Sequence, residues 1–470
     1  MQTGRFRLFD VIANKIITKK HPVTYVALSY VWGDAMQEYI ESCQEPAKDA
    51  RTSHWAATEV DFAALPRTIQ DAAILLRMIN MQYLWVDALC IQQNSAVDKQ
   101  AILSNMGAIY AGTHFTVVGA CGDSAGCALS GITDQGARME KPMSFNTVKG
   151  ELSLLPAKEW PEKVIAETTW STRGWTLQER LLSPRCLFFT ESEVFFCTGD
   201  DTEREAFDVY CGRPNDDYYK ETPWIRFPPY ALLQNFTERS LTHQGDRLDA
   251  FLGLATRVQS SDLPMNHVAA LSGLRLEKFA ADLQWSHFDP ESASRISMDA
   301  RGSRILPSWS WVGWTGKILA QILTYTSEGT TKILDKANIE HFVGPTLSDF
   351  SPQRCQPTIP LQVIVHLWAP SLPCRLKKEP LSPISREYSI QVFDEDMNSH
   401  NLDTGVILPR GITLARQFEL VVLKPRVTST HEALLVRHEQ KFAERVGLVK
   451  LSGLPHAALQ CFQYNYIRLK

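Results

Sequence analysis

The chain has 470 residues, of which 44% are hydrophobic and 21% are charged, and its formal net charge is -4. These values are ordinary for a globular protein that buries a core, and the length predicts two or three domains. The basic residues are scattered and the charge is weakly acidic, so we expect no partnership with nucleic acid.

The N-terminal stretch and the cysteines predict the compartment. The stretch MQTGRFRLFDVIANKIITKK lacks the apolar segment and small-residue cleavage site of a signal peptide. No apolar run is long enough to cross a bilayer. The ten cysteines are dispersed without a CxxC pair, which favours reduced thiols. We therefore predict a cytoplasmic protein with no membrane span.

The N-terminal third alternates strand and helix patterns. Short apolar runs rich in β-branched and aromatic residues predict strands at residues 24–32, 83–91 and 115–120. Apolar residues recurring at helical spacing predict helices at residues 65–79 and 97–112. Asn80 follows the first of these helices, and we expect it to end that helix in the left-handed conformation.

Strands that alternate with helices predict a parallel sheet with helices on its faces. In such sheets the chemistry gathers beyond the carboxyl ends of the strands. Those ends read YVWGD, WVDALC and GACGD. We therefore expect the functional residues to lie in these three segments.

The rest of the chain is more varied. Residues 121–169 are predicted to be a loop-rich insert, residues 171–183 a short helix, and RCLFFTESEVFFCTGD two strands around a TESE turn. Residues 228–285 have a helical pattern, and LPSWSWVGWTGKI is predicted to return to strand. The C-terminal region is predicted to be β-rich because it contains six strand-like runs: LQVIVHLWA, YSIQVF, FELVVLK, EALLVRHE, RVGLVKL and NYIRLK.

These patterns predict three domains. The first covers residues 1–200, with a core at 24–190; the second is mainly helical over 201–300; the third is β-rich over 301–470. Common short motifs are missing: there is no GxGxxG after a strand and no GxSxG, and Trp311 stands where a phosphate-binding loop needs glycine. CGDSAGC has no second cysteine pair, so no metal site is predicted.

Three blocks occur in order along the first domain: YVALSYVWGD, then LPRTIQDAAILLRMINMQYLWVDALCIQQ, then STRGWTLQERLLSPRCLFF. Together they resemble the HET (heterokaryon incompatibility) domain of filamentous fungi, strongly over residues 25–190. INMQ replaces the usual Leu-Gly before YLWVD, and Asn80 tolerates the same backbone conformation. The resemblance implies a role in nonself recognition and programmed cell death, a homo-oligomer when active, and a partner incompatibility protein.

HET domains are in turn similar to TIR domains, which implies a TIR-like parallel sheet with flanking helices. Trp175 and Glu179 look like the TIR pattern in which a tryptophan precedes a glutamate on a helix. That glutamate is catalytic in TIR domains that cleave NAD. The resemblance therefore implies Glu179 as a catalytic residue and NAD as a candidate substrate, without a resident cofactor. The insert at residues 121–169 is much longer than its TIR equivalent.

The residues themselves leave two interpretations of Glu179 open. Trp175 and Glu179 are one helical turn apart, so a carboxylate would stabilise an oxocarbenium-like sugar while an indole stacks on a base. Alternatively, Thr176 and Glu179 fit the T-x-x-E capping box and serve only the start of a helix.

The other candidate site residues also have a functional and a structural interpretation. Asp87 is either a catalytic carboxylate at the sheet edge or an ion-pair partner of Arg173. Arg173 binds either a ligand phosphate or carboxylate, or a protein carboxylate. The segment after the first strand is either a ligand-binding loop or a tight turn; its candidate residues are Ser29, Tyr30, Trp32, Gly33 and Asp34.

One cysteine and two tryptophans also have two interpretations each. Cys90 is either a nucleophile or a buried structural thiol. Trp85 and Trp175 belong either to the core or to the wall of a cleft. As alternatives to an NAD-cleaving effector, the chain is a non-enzymatic self-associating signalling module, or a small-molecule enzyme of secondary metabolism that reuses the HET fold.

Overall fold

A computed structural model describes most of the chain, and every structural statement below refers to the described residues: 6–20, 22–42, 58–133, 143–147, 150–154, 159, 161–198, 201–204, 229–258, 283, 285–296, 306–319, 338–343, 364–378, 387–393, 399–402, 406–410, 412, 417–424, 431–439, 442–451 and 463–469. The chain forms two compact units, Met1–Phe227 and Pro228–Lys470. The boundaries predicted near residues 200 and 300 stay predictions.

The first unit has eleven described strands and seven described α-helices. The strands are β1 (Phe6–Asp10), β2 (Lys15–Lys19), β3 (Val26–Tyr30), β4 (Thr58–Glu59), β5 (Tyr83–Trp85), β6 (Thr116–Gly119), β7 (Met143–Thr147), β8 (Gly150–Leu154), β9 (Arg185–Phe189), β10 (Val194–Thr198) and β11 (Asp201–Arg204). The helices are α1 (Gly33–Ser42), α2 (Arg67–Met78), α3 (Asp87–Cys90), α4 (Ala96–Leu103), α5 (Met106–Ala111), α6 (Pro161–Ala166) and α7 (Gly174–Leu182).

Nine of these strands form one sheet in the order β11-β10-β9-β6-β3-β5-β1-β2-β4. Its four central strands, β9, β6, β3 and β5, are parallel, as predicted. The outer strands pair antiparallel, so the sheet is mixed rather than wholly parallel. Across the sheet the four parallel strands follow in the order β5, β3, β6, β9, so the second along the chain comes before the first. This order places a topological switch point between β3 and β6.

The second predicted strand is only half correct. It ends at Trp85, and residues Asp87–Cys90 form α3 instead. The carbonyl of Val86 accepts hydrogen bonds from the amides of Leu89 and Cys90 at 3.1 and 2.7 Å, which turns the backbone out of the sheet. Asp87 therefore begins a helical turn beyond the carboxyl end of β5.

The two predicted helices differ in their outcome. The first is confirmed as α2, and Asn80 beyond it has a φ of 58°, the expected left-handed conformation. The second is broken into α4 and α5 at residues 104–105. Only α5 contributes fully buried side chains, from Met106, Ile109 and Tyr110, whereas α4 has none. The predicted loop-rich insert contains the hairpin β7–β8 and α6.

The hairpin predicted around TESE is confirmed as β9 and β10, which pair antiparallel. A buried apolar cluster lies where β6 and β9 meet α6, and Trp170 and Phe188 pack in it edge to face with ring centroids 5.5 Å apart. This cluster holds the 3-10 turn Trp170–Thr172 that precedes α7.

The second unit has two described α-helices and eleven described strands. They are α8 (Pro229–Glu238), α9 (Arg247–Val258), β12 (Ser286–His287), β13 (Ile318–Leu319), β14 (Asn338–Val343), β15 (Ile364–Lys378), β16 (Glu387–Phe393), β17 (Ser399–Asn401), β18 (Val406–Ile407), β19 (Phe418–Lys424), β20 (His431–Glu439), β21 (Phe442–Leu451) and β22 (Gln463–Leu469). The helix pattern at residues 228–258 and all six predicted C-terminal strands are confirmed; residues 259–282 lie outside the described part.

Pairing in the second unit closes a ring. Strands β15, β19, β20, β21 and β22 are neighbours in that order, and β22 also pairs with β15 along seven residues. The predicted strand LPSWSWVGWTGKI is wrong except at its end, because Trp311–Gly313 form a 3-10 turn and only Ile318–Leu319 are extended. Ser310 caps that turn by accepting a hydrogen bond from the Val312 amide. No helix in the described parts of either unit is long and apolar enough to span a membrane.

Candidate functional site

Two segments 150 residues apart meet at the carboxyl end of β3. Ser29 lies in that strand with 1% of its surface exposed, and its hydroxyl donates a hydrogen bond to the Glu179 carboxylate on α7. The same hydroxyl accepts a hydrogen bond from the indole Nε1 of Trp170 at 2.7 Å. The three side chains form a buried relay that ties the first and third sequence blocks together.

The second block contributes Asp87 to the same edge of the sheet. Its Oδ2 accepts a hydrogen bond from the indole Nε1 of Trp32 at 2.8 Å, and its Oδ1 accepts one from the Ala88 amide at 2.7 Å. The Tyr30 hydroxyl donates to the Met36 sulfur at 3.3 Å. Asp87 is therefore held by Trp32, in the loop after β3, and by the backbone at the start of its own helix.

Arg173 lies between the two carboxyl groups. Its Nη1 donates a hydrogen bond to the Tyr30 carbonyl at 2.9 Å, which holds the guanidinium at the end of β3. Its positive charge favours the ionised forms of both Asp87 and Glu179, against the effect of burial. Arg173 therefore acts on Asp87 electrostatically, and both interpretations of Asp87 stay predictions.

Burial dominates the electrostatics of both carboxyl groups. The pKa of Glu179 rises from 4.5 to about 7 as the net result. Burial makes the largest contribution, the charge of Asp87 also raises the pKa, and the hydrogen bond from Ser29 lowers it. The pKa of Asp87 is also raised by burial, against its hydrogen bonds from Ala88 and Trp32. A carboxyl that exchanges its proton near neutral pH is suited to acid–base chemistry or to stabilising a developing positive charge.

The capping-box interpretation of Glu179 is wrong. Helix α7 begins at Gly174, so Glu179 lies in its second turn, and the first turn contains no acidic residue. The Thr176 hydroxyl donates to the carbonyls of Trp170 and Arg173, both at 2.8 Å, instead of capping the helix. The Glu179 carboxylate instead accepts a hydrogen bond from Ser29.

Two aromatic residues of the site escaped the sequence analysis. Trp170 is fully buried, and its indole hydrogen-bonds Ser29. Trp175 is half-buried, and none of the site's described hydrogen bonds involves it, so its role in binding a ligand stays a prediction. Tyr110 on α5 donates its hydroxyl to the Leu28 carbonyl at 3.1 Å, and its proximity lowers the pKa of Glu179. Trp170 directly precedes the third block, which was the signal available in the sequence.

Gln178 is a second unforeseen feature. It is 1% exposed, and within the described residues neither its amide nitrogen nor its amide oxygen has a hydrogen-bond partner. Buried polar atoms of this kind are rare in folded proteins, and an unsatisfied amide is costly. Gln178 lies one residue before Glu179. Its unsatisfied amide therefore indicates that the packing of α7 is not optimised for stability alone.

The segment after β3 is a tight turn into α1, and ligand binding by it stays a prediction. Gly33 begins α1 with a φ of 54°, and a Cβ there would lie 2.8 Å from the Asp123 carbonyl. The Ala125 amide donates to the Trp32 carbonyl at 3.0 Å, so the 123–125 loop packs on this turn. Asp34 is exposed in the first turn of α1, where the helix dipole favours an acidic residue.

Cys90 and Trp85 have structural positions. Burial raises the pKa of the Cys90 thiol to about 12, which opposes formation of the thiolate a nucleophile needs. Trp85 is 1% exposed and packs edge to face on Tyr110 with centroids 5.6 Å apart. Trp85 therefore supports the Tyr110 ring beside Glu179 from the core. The described residues contain no group of three or more metal-ligating side chains.

Comparison with known proteins identifies the first unit. Residues 25–179 match the family described as "Heterokaryon incompatibility protein (HET)", a stretch that begins just before β3 and ends at Glu179. These residues of the first unit are therefore similar to a HET domain. The whole cluster around Ser29, Asp87 and Glu179 lies within the matched residues.

Two relatives are similar to this chain. "Heterokaryon incompatibility protein 6, OR allele" of Neurospora crassa is 27% identical over 36% of this chain and 28% of the relative. "Vegetative incompatibility protein HET-E-1" of Podospora anserina is 24% identical over 61% of this chain and 19% of the relative. The chain thus spans less than a third of either relative. No solved structure matches it.

Proposed function

We propose that this protein acts in fungal heterokaryon incompatibility, as an effector of nonself recognition that leads to cell death. The HET domain and the names of both relatives support this role. As in our expectation from the sequence, the active form is a homo-oligomer that responds to a partner incompatibility protein.

The proposed chemistry is hydrolysis of NAD at Glu179. The C–N bond between ribose and nicotinamide breaks, its electron pair passes to the ring nitrogen, and nicotinamide leaves neutral without a general acid. The ionised Glu179 carboxylate stabilises the positive charge that develops on the ribose, and water adds to the anomeric carbon with loss of a proton. The observation that carries this proposal is a buried glutamate with a pKa of about 7, hydrogen-bonded to Ser29.

Access to Glu179 is the step at which assembly would act. Its side chain belongs to a residue only 7% exposed, Ser29 already hydrogen-bonds it, and Tyr110 lies beside it. Substrate must displace part of this shell, which fits an enzyme that is inactive as a monomer and opens its site on self-association.

The test compares two buried glutamates of the first unit. Glu179→Gln keeps the side-chain shape and removes the ionisable carboxyl; Glu193→Gln makes the same change in a residue 3% exposed at the β9–β10 turn. In fungal cells we expect wild type and Glu193→Gln to arrest growth and deplete NAD, and Glu179→Gln to do neither. Purified protein at high concentration is expected to repeat the difference in NAD consumption.

A second function, that of a non-enzymatic self-associating signalling module, is favoured by the same enclosure of Glu179. In that case the carboxylate only holds β3 to α7. Growth arrest by Glu179→Gln at the wild-type level, with unchanged NAD in every strain, would establish this function and exclude the enzyme. A pocket at Asp87 separate from Glu179 would favour the other hypothesis, a small-molecule enzyme of secondary metabolism. The charge of Asp87 instead acts on Glu179, which gives that hypothesis no support.

A further inference from the structure

A cavity of about 220 Å³ lies within the second unit. Trp285, His287, Trp314 and Arg445 line it together with aliphatic residues of β18 and β21. It exceeds the roughly 150 Å³ that holds a benzene molecule and is smaller than the roughly 300–1,000 Å³ of sites for drug-sized ligands. A single ring with one polar group fits this volume, whereas a dinucleotide does not.

Arg445 brings an uncompensated positive charge to the cavity. It is 1% exposed, and its guanidinium lies 3.7 Å from the centroid of the Trp285 ring. It donates only to backbone carbonyls, those of Trp285 and Trp309, and its Nε has no hydrogen-bond partner. None of the described carboxylates forms an ion pair with it.

Two nearby arginines of the unit have a counter-charge. Arg295 and Arg437 both pair with Glu444, the residue next to Arg445 in the chain. Burying a cation without a counter-charge is costly in general, so buried arginines are normally paired. Arg247, 2% exposed, shares with Arg445 the lack of a described carboxylate partner, but Arg445 is the one that lines the cavity.

His287 supplies the polar group opposite. Its ring packs edge to face against Trp285 and Trp314, with centroids 5.1 and 5.5 Å away, and its buried Nδ1 has no partner. Burial lowers the pKa of His287 to about 3, and the charges of Arg445 and Arg247 lower it too, against that of the exposed Asp289. The neutral imidazole therefore has one nitrogen to donate and one to accept a hydrogen bond.

We propose that this cavity binds a small organic anion, a carboxylate or phosphate group on a planar or apolar body. Arg445 supplies the positive charge, the indoles of Trp285 and Trp314 pack against the body, and His287 hydrogen-bonds the ligand. The site lies wholly within the second unit, and the inference does not depend on the function proposed for Glu179.

The test is calorimetric titration of the full-length protein with benzoate, phenyl phosphate and benzamide. Benzoate and benzamide have nearly the same shape, so their difference reports the charge. We expect saturable binding of benzoate or phenyl phosphate, and benzamide at least tenfold weaker than the anion that binds. No saturable binding of either anion, or equal binding of benzoate and benzamide, would overturn the proposal.

Variants assign that binding to the cavity. Arg445→Met is expected to weaken it at least tenfold, and His287→Phe several-fold, whereas Arg375→Met, at an exposed arginine of the same sheet, leaves it unchanged. Because Arg445→Met also removes hydrogen bonds to two carbonyls, Ile407→Trp is the decisive variant: it fills the cavity from a half-buried lining position. Wild-type affinity in a folded Ile407→Trp protein would place the anion elsewhere and overturn the proposal.

Discussion

The ionisation of Glu179 is governed by opposing influences from single residues. Burial and the charge of Asp87 favour the neutral acid, whereas Ser29, Arg173 and Tyr110 favour the carboxylate. Burial prevails, and the pKa rises to about 7. Near neutral pH the protein therefore contains both forms of this side chain, and a reaction that needs the carboxylate would accelerate as the pH rises through 7.

The same shift predicts how stability depends on pH. Because the pKa of Glu179 is higher in the folded protein than its ordinary 4.5, its contribution is fully present below pH 4.5 and is lost as the pH rises through about 7. The difference between these two pKa values corresponds to a free-energy difference of about 3 kcal/mol. We expect Glu179→Gln to gain about that much stability relative to wild type between pH 4.5 and 8.

Urea denaturation of both proteins across that range is the measurement. The difference between the two free energies of unfolding should change between pH 4.5 and about 7, the ordinary and the folded-state pKa, and should be constant outside that interval. Two parallel stability curves would show that Glu179 titrates normally in the folded protein, and its environment would then be polar rather than buried.

At the scale of an element, the start of α1 depends on a glycine. Gly33 has a left-handed φ of 54°, and a Cβ would lie 2.7 Å from the Cβ of Ser124 and 2.8 Å from the Asp123 carbonyl. Such distances require the 123–125 loop to move, in addition to the strain of the backbone conformation. The turn that places Trp32 against Asp87 is therefore specified by this residue.

Gly33→Ala is expected to lower the free energy of unfolding by more than about 1 kcal/mol. Gly126→Ala is the matched control in the same contact, because a Cβ there meets Ala35 and Ser124 at ordinary distances of 3.5 and 3.6 Å. We expect the control to change stability by less than about 0.5 kcal/mol. Equal effects of the two substitutions, measured by urea denaturation, would contradict this account of the turn.

At the scale of the whole molecule, the first unit contains its own sheet, core and candidate site. All nine strands of that sheet, and every residue of the cluster around Glu179, lie within Met1–Phe227. Compact units of this size normally fold alone when their core is complete. The HET match at residues 25–179 also lies inside this unit.

A chain of residues 1–227 is accordingly expected to fold, with a single cooperative unfolding transition and a near-ultraviolet circular dichroism signal from its buried tryptophans. Calorimetry and circular dichroism are the measurements. Loss of the aromatic signal with retained helical content would show instead that the first unit needs residues beyond 227 to pack its core.

The amino-acid sequence by itself determined the central sheet and the meeting of its three blocks. Short apolar strands separated by helical segments pair in parallel, and the carboxyl ends of adjacent parallel strands necessarily lie at one edge. That rule was sufficient to place Ser29 and Asp87 at one edge, whereas Glu179 was indicated by the resemblance and is brought there by α7. It was also sufficient for the C-terminal strands, whose apolar residues are dense enough to identify each one.

Only the tertiary structure decided which side chains face that edge and how the sheets end. Trp170 rather than Trp175 reaches Ser29 because the 3-10 turn before α7 is buried against Phe188. The outer strands β1 and β2, and the closure of the second unit by β15 and β22, depend on partners distant in the chain. The local sequence pattern of a segment shows whether it has the period of a strand or of a helix. The strand that pairs with it, and the face that it buries, are set by long-range pairing and by the burial that results from this pairing.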